Sequence, residues 1–136
     1  MLNSKFVQIP IERPYEAAYS ILKEPKNFPL WSPVLESRFE PRGNNGLDWL
    51  VDLPSSGTAI LRFSPPNPFG VLDYTIFSES GERIRGTALR LLPNEDECEL
   101  VAQFFQVPGQ DGEAFDAYVE WARTDLMVLK SVVEAR

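Results

Sequence analysis

The stretch DGEAFDAYVEWARTDLMVLKSVVEAR, Asp111 to Arg136, decides how this chain folds. Phe115, Val119, Ala122, Leu126, Leu129 and Val133 recur at three- and four-residue steps, which makes one apolar face of an α-helix. Tyr118, Trp121 and Val128 widen that face on one side. Asp111 is placed to cap the helix by accepting from free backbone N–H groups, and Glu113 and Asp116 suit its positive end. About 25 residues of helix run for roughly 37 Å, enough to lie across a whole sheet.

Working outward, almost everything between Glu36 and Val107 reads as strand. Turn signals divide it into six candidates: Val34–Glu40, Leu47–Leu53, Thr58–Phe63, Val71–Ser78, Arg83–Leu92 and Glu97–Val107. Most connections are short, which favours antiparallel neighbours. Ahead of them, Ser4–Ile11 alternates with Val7, Ile9 and Ile11 on one face, a further strand. Pro14–Lys23 carries Ala18, Ile21 and Leu22 at helical spacing, and Pro25 stops it. The proline-rich Asn27–Pro33 holds at most one helical turn, ending near Trp31.

Composition narrows the function. The chain has 136 residues, which fits a single domain over 1–136, and 43% are apolar, which makes it globular. A net charge of -7 with dispersed basic residues argues against nucleic acid as a partner. Arg83 and Arg85, the densest basic pair, share a strand face that reads as solvated. Histidine is absent, so a Ser-His-Asp triad and a His-ligated zinc are excluded, and the lone Cys98 forms neither an intrachain disulfide nor a thiolate-rich metal site. No glycine-rich phosphate loop or dinucleotide fingerprint occurs, so no cofactor and no metal is expected. Without a signal-like N-terminus or an apolar run long enough for a membrane span, the expected location is the cytoplasm.

A strand, a helical pair, six strands and one long helix make an α+β helix-grip fold: a seven-stranded antiparallel sheet curled around the C-terminal helix, with two short helices after strand one. In that order the chain resembles the START-related SRPBCC superfamily of hydrophobic-ligand-binding domains, which includes polyketide cyclases and dehydrases. The likeness rests on Ile9-Pro10-Ile11-Glu12-Arg13-Pro14-Tyr15-Glu16 with Asn27-Phe28-Pro29-Leu30-Trp31, and on Phe69-Gly70-Val71-Leu72-Asp73-Tyr74. It continues in Arg90-Leu91-Leu92-Pro93-Asn94 with Phe104-Phe105, and in Asp125-Leu126-Met127-Val128-Leu129-Lys130 with Glu134. Members of this branch resemble one another in often carrying His where this chain has Tyr74, a departure that weakens transfer of a catalytic role. The resemblance implies a cavity between sheet and helix that holds a small hydrophobic molecule, with Trp31 and the stiff Pro65–Phe69 loop at its lip.

Strand alternation assigns the expected lining. Leu47, Trp49, Val51 and Leu53 face inward and Asp48 and Asp52 outward; Ala59, Leu61 and Phe63 face inward and Arg62 outward. Leu72, Tyr74 and Ile76 are the better inward set of their strand. Ile84, Gly86, Ala88, Arg90 and Leu92 share a face, which drives Arg90 inward, where it either pairs with Asp73 or Asp125 or meets a ligand carboxylate or carbonyl. Both faces of Leu100–Phe105 are partly apolar, so a partner subunit, a homodimer included, is one candidate cover. The expected ligand-binding residues are Trp31, Trp49, Leu61, Tyr74, Arg90, Phe104, Tyr118 and Ala122. Three functions follow: a carrier of a lipid-, polyketide- or aromatic-like molecule; a cyclase or dehydratase using Tyr74 or Asp73 as acid–base group and Arg90 to polarise a carbonyl; or a chaperone- or partner-binding module with a filled core.

Overall fold

The computed structural model describes residues 1–32, 37–54 and 57–136. Its elements are β1 (Ser4–Ile11), α1 (Tyr15–Leu22), a 3-10 helix (Pro25–Leu30), β2 (Phe39–Pro41), β3 (Asp48–Leu53), β4 (Gly57–Phe63), β5 (Tyr74–Ser78), β6 (Arg83–Asn94), β7 (Glu97–Phe105) and α2 (Gly112–Glu134). The seven strands form one antiparallel sheet in the order β1-β7-β6-β5-β4-β3-β2. Only β1 breaks the meander, pairing Ser4 with Phe105 through Ile11 with Cys98. This is the helix-grip arrangement expected from the element order. Val34 to Glu36 of the expected second strand, and Ser55 and Ser56 of the following turn, lie outside the described residues.

Helix α2 forms where the apolar repeat places it. The Asp111 carboxylate accepts from the Ala114 N–H at 2.7 Å, closing its first turn. Phe115, Val119, Leu126, Leu129 and Val133 are buried against Val7, Ile9 and Ile11 of β1, Leu100, Ala102 and Phe104 of β7, and Leu89 and Leu91 of β6. Each large side chain buried this way contributes about 1.5–3 kcal/mol. Polar contacts pin the far end of the helix. Lys130 Nζ donates to the Pro10 carbonyl at 2.7 Å, and Glu134 accepts from the Glu12 N–H at 2.8 Å. Arg13 donates to the Val133 carbonyl at 3.1 Å, which also accepts the Arg136 N–H at 3.3 Å, in the last turn of the helix. Those contacts account for Lys130 and Glu134 in the stretch that carries the family likeness.

A second, smaller apolar cluster of Val51, Ala59 and Leu61 lies on β3 and β4. Phe28 and Tyr74 pack against both clusters, so they bridge two parts of a core that do not merge.

Strand β5 starts at Tyr74 rather than Val71 because other groups take up the backbone before it. Asn67 binds both the N–H (3.1 Å) and the carbonyl (2.9 Å) of Val71, and Val71 keeps only an isolated bridge to Arg90. The same Asn67 donates its backbone N–H to the Tyr19 hydroxyl at 2.8 Å, which ties the Ser64–Gly70 loop to α1. Gly70 closes that loop at φ +68°, where side chains are disfavoured, and a Cβ there would overlap the Leu91 carbonyl oxygen.

Asp48 points outward, as the alternation of its strand predicts. It lies on the outer face but is only 7% exposed, because Arg62 folds over it with two hydrogen bonds of 2.8 and 3.1 Å. Arg62 in turn covers the Phe77 ring, at 4.8 Å from its centroid.

Gly70→Ala is expected to cost at least about 2 kcal/mol, from the left-handed backbone and from backbone overlap together. Urea unfolding measures it; a midpoint equal to the parent's would show that the loop relaxes freely.

Candidate functional site

Between the two clusters the sheet and α2 enclose a cavity of about 400 Å³. Its floor is built by alternate residues of neighbouring strands: Leu61 from β4, Tyr74 and Ile76 from β5, Arg85, Thr87 and Leu89 from β6, and Phe104 from β7. Antiparallel pairing sets Tyr74 opposite Thr87 and Ile76 opposite Arg85, so these four share a face. The roof is Tyr118, Trp121, Ala122, Asp125 and Leu126 of α2, with the small Ala122 leaving room beneath the helix. Phe28, Trp31 and Ser32 close one end. The lining residues that also reach solvent, Pro54, Ile84 and the half-exposed Trp121, mark the opening at the other.

Aromatic edges hold these walls. Phe28 meets Tyr74 and Phe63 edge-on at 5.2 and 5.3 Å between centroids, and Phe104 meets Tyr118 edge-on at 5.9 Å. The polar groups in the walls are few. Burial pushes the Tyr74 phenol well above its ordinary range, with a smaller contribution from nearby Tyr118 and partial compensation from the Thr87 hydroxyl. Burial raises Tyr118 too, against the opposing charge of Arg85. Both phenols therefore stay protonated at neutral pH and can each donate one hydrogen bond, while the Tyr118 oxygen also accepts from Arg85. Burial also raises the Asp125 carboxyl, and a hydrogen bond of 3.4 Å from the Ser32 hydroxyl offsets this only in part.

Of the residues expected to line a site, Trp31, Leu61, Tyr74, Phe104, Tyr118 and Ala122 surround the cavity. Trp31 lines it while only 4% exposed, buried like a core residue. The Pro65–Phe69 loop contributes nothing to the lining and packs on α1 instead. Trp49 is also displaced: it stacks on Phe39 at 4.4 Å and donates its indole N–H to the Gly46 carbonyl at 3.3 Å.

Arg90 is the main correction. Strand β6 buries Arg85, Thr87, Leu89 and Leu91, so the inward set is the opposite of the one expected. Two leucines and a threonine outweigh the Ile84 and Leu92 set, which surfaces. Arg90 stands outside and grips Asp73 with hydrogen bonds of 3.0 and 2.8 Å. Burial acts to raise the Asp73 carboxyl, but the bonds from Arg90 and from the Leu89 N–H, at 2.8 Å, outweigh it and leave it below the ordinary range. Neither Asp73 nor Arg90 touches the cavity, which removes them from any chemistry there.

Arg85, read as solvated, is instead 9% exposed in the cavity wall. Pairing with Tyr74 and Ile76 carries Thr87 and Arg85 inward, but the β5–β6 register shifts between Ile76 and Phe77, so the turn between the strands does not reveal it in sequence.

No family profile and no curated protein matches this sequence. Solved structures do match it in shape. Ara h 8.0201 superposes with a TM-score of 0.71 at 13% identity, covering 100% of both chains. XoxI from Bacillus cereus gives 0.69 at 14%, covering 96% of this chain and 94% of that one. The Aha1 dimer from Colwellia psychrerythraea gives 0.68 at 15%, covering 97% and 96%. The likeness establishes the helix-grip fold. Among the described residues no helix is long and apolar enough to cross a membrane.

Two outcomes follow from the charges. Arg90→Leu is expected to cost about 1 kcal/mol, since the pair is partly exposed, and to lower the melting midpoint by about 3 °C. Asp73 is held below its unfolded pKa, so this difference persists above that value and fades as pH falls through the folded one; equal midpoints at neutral pH would remove the pair from the stability account. Asp125 has the opposite sign. Its folded pKa is raised, so its contribution is full below the unfolded pKa and lost as pH rises through the folded one. Asp125→Asn should therefore raise the melting midpoint more at pH near 7 than at pH near 4; a pH-independent change would contradict burial as the cause.

Proposed function

We propose that this protein binds a small hydrophobic molecule, lipid-, polyketide- or aromatic-like, in the cavity between sheet and α2. The observation that carries this is the cavity of about 400 Å³ itself, walled by aromatic and aliphatic side chains with a few polar groups. That size and lining are typical of sites for drug-sized ligands. Affinity comes from apolar ligand surface removed from water, at roughly 25 cal/mol per Å² before association costs.

Carriage is favoured over conversion by the scarcity of acid–base groups in the lining. A cyclase or dehydratase needs a base in reach of its substrate. Among the described residues Asp125 is the one carboxyl group in the lining and is bonded to the Ser32 hydroxyl, while Asp73 lies on the outer face paired with Arg90. A partner-binding module with a filled core is disfavoured by the unfilled space between the two apolar clusters.

The test is a fluorescence titration with the neutral dye N-phenylnaphthylamine. One saturable site is expected, together with an increase in melting midpoint. Ala122→Trp, which extends an indole into the cavity from the roof, should weaken the dye at least tenfold while keeping a cooperative melt. A titration without saturation, or unchanged affinity in Ala122→Trp, would place the dye elsewhere and overturn the assignment.

A further inference from the structure

The geometry points to an anionic head group on the ligand, a carboxylate or other organic oxyanion, seated on Arg85. This rests on the proposed ligand-binding role of the cavity and assigns its polar end.

A guanidinium taken out of water costs several kcal/mol unless its charge and its N–H groups are answered. Elsewhere this chain answers such charges with carboxylates. Arg62 is paired with Asp48, Arg90 with Asp73 and Lys130 with Glu134, each at 2.6 to 2.8 Å. Arg85 is more buried than any of those cations, yet among the described residues no carboxylate lies within ion-pair distance of it. Its partners are neutral. Nη1 donates to the Phe105 carbonyl at 3.2 Å, Nη2 donates to the Gln110 side-chain carbonyl at 3.1 Å, and the Tyr118 ring lies beneath its Cζ at 3.8 Å. The ring face attracts a cation, but it carries no net charge. Those two bonds use two of the five N–H groups of a guanidinium.

The residues around Arg85 repeat the pattern. Thr87, Tyr74 and Tyr118 line the same part of the cavity, and the two phenols are protonated donors. Asp125, the carboxyl group in the lining, is shifted toward its neutral form, which weakens its repulsion of an anion. The wall is thus rich in donors and positive, and a carboxylate supplies both the acceptors and the missing charge.

Arg85 is also held in place before any ligand arrives. The Gln110 side-chain carbonyl accepts from both Arg85 and the Val107 N–H, and Gln106 donates to the Gln110 backbone carbonyl at 2.6 Å. The loop after β7 therefore fixes the guanidinium, and little ordering is left for binding to offset. In a chain of net charge -7, anions are repelled on average, so an anion bound inside it has to meet a specific cation.

Two dyes with the same ring system separate head group from body. Anilinonaphthalene sulfonate is N-phenylnaphthylamine with one sulfonate added. The parent protein is expected to bind the anion at least tenfold more tightly than the neutral dye. Arg85→Met should bring the ratio of the two affinities, anionic over neutral dye, to about one, and Arg85→Lys should keep part of the preference. Displacement of the neutral dye by decanoate, compared with decanol, tests the carboxylate directly, with decanoate acting at a concentration at least tenfold lower. Equal binding of both dyes by the parent, with decanoate no better than decanol, overturns the anionic head group while the cavity assignment stands. Saturable binding of neither dye overturns both. The parent measurements decide the matter alone if Arg85→Met does not fold.

Discussion

A straight helix cannot stay in contact with a curling sheet over the sheet's whole width. Helix α2, 23 residues and about 35 Å long, commits its large side chains to β1, β7 and β6. The strands beyond β6 turn away from it, and the apolar faces of β3 and β4 gather their own cluster of Val51, Ala59 and Leu61. The space between belongs to neither. Ala122 lies on the helix above that space, where a larger residue would fill it, and Phe28 and Tyr74 hold the two sides at a fixed separation. The cavity is thus a consequence of how this core divides.

Charge is managed by the same geometry. Cations on the outer faces find carboxylates across a strand pair, as Arg62 does with Asp48 and Arg90 with Asp73. These pairs cover the sheet surface and shift their carboxylates downward. Inside, Arg85 is stabilised by carbonyls and a ring, and the nearby titratable groups are shifted toward their neutral forms. The interior therefore keeps one polarised wall in an otherwise apolar chamber, an arrangement that orients a ligand as well as burying it.

Much of this was legible in the chain. The apolar repeat of α2, its Asp111 cap and the alternation of Val7, Ile9 and Ile11 are local patterns, and each forms the element its period specifies. The inward set of β4 was nearly as plain, while on β5 Leu72, Tyr74 and Ile76 were only the better of two sets, because Val71 and Phe77 make the opposite face partly apolar. Strand β6 was not plain. Arginines occupy both of its faces, at Arg83 and Arg85 on one and Arg90 on the other, so alternation alone gives two answers. Tertiary pairing chose between them: Asp73 captures Arg90 outside, and Leu89 and Leu91 fill the core. The Pro65–Phe69 loop misled for a similar reason, since its stiffness is visible in sequence but its attachment to Tyr19 is not.

By itself the sequence determined the kinds and order of elements, the antiparallel meander and the face of the long helix, because each follows from periodicity and turn chemistry within a few neighbouring residues. It also excluded histidine-based catalysis and an intrachain disulfide by composition. Only the tertiary structure decided where the cavity opens, that Trp49 and Arg90 stand apart from it, and that Arg85 lies inside. Those outcomes depend on register between strands far apart in the chain and on the divergence of sheet from helix. Neither quantity is carried by any single segment.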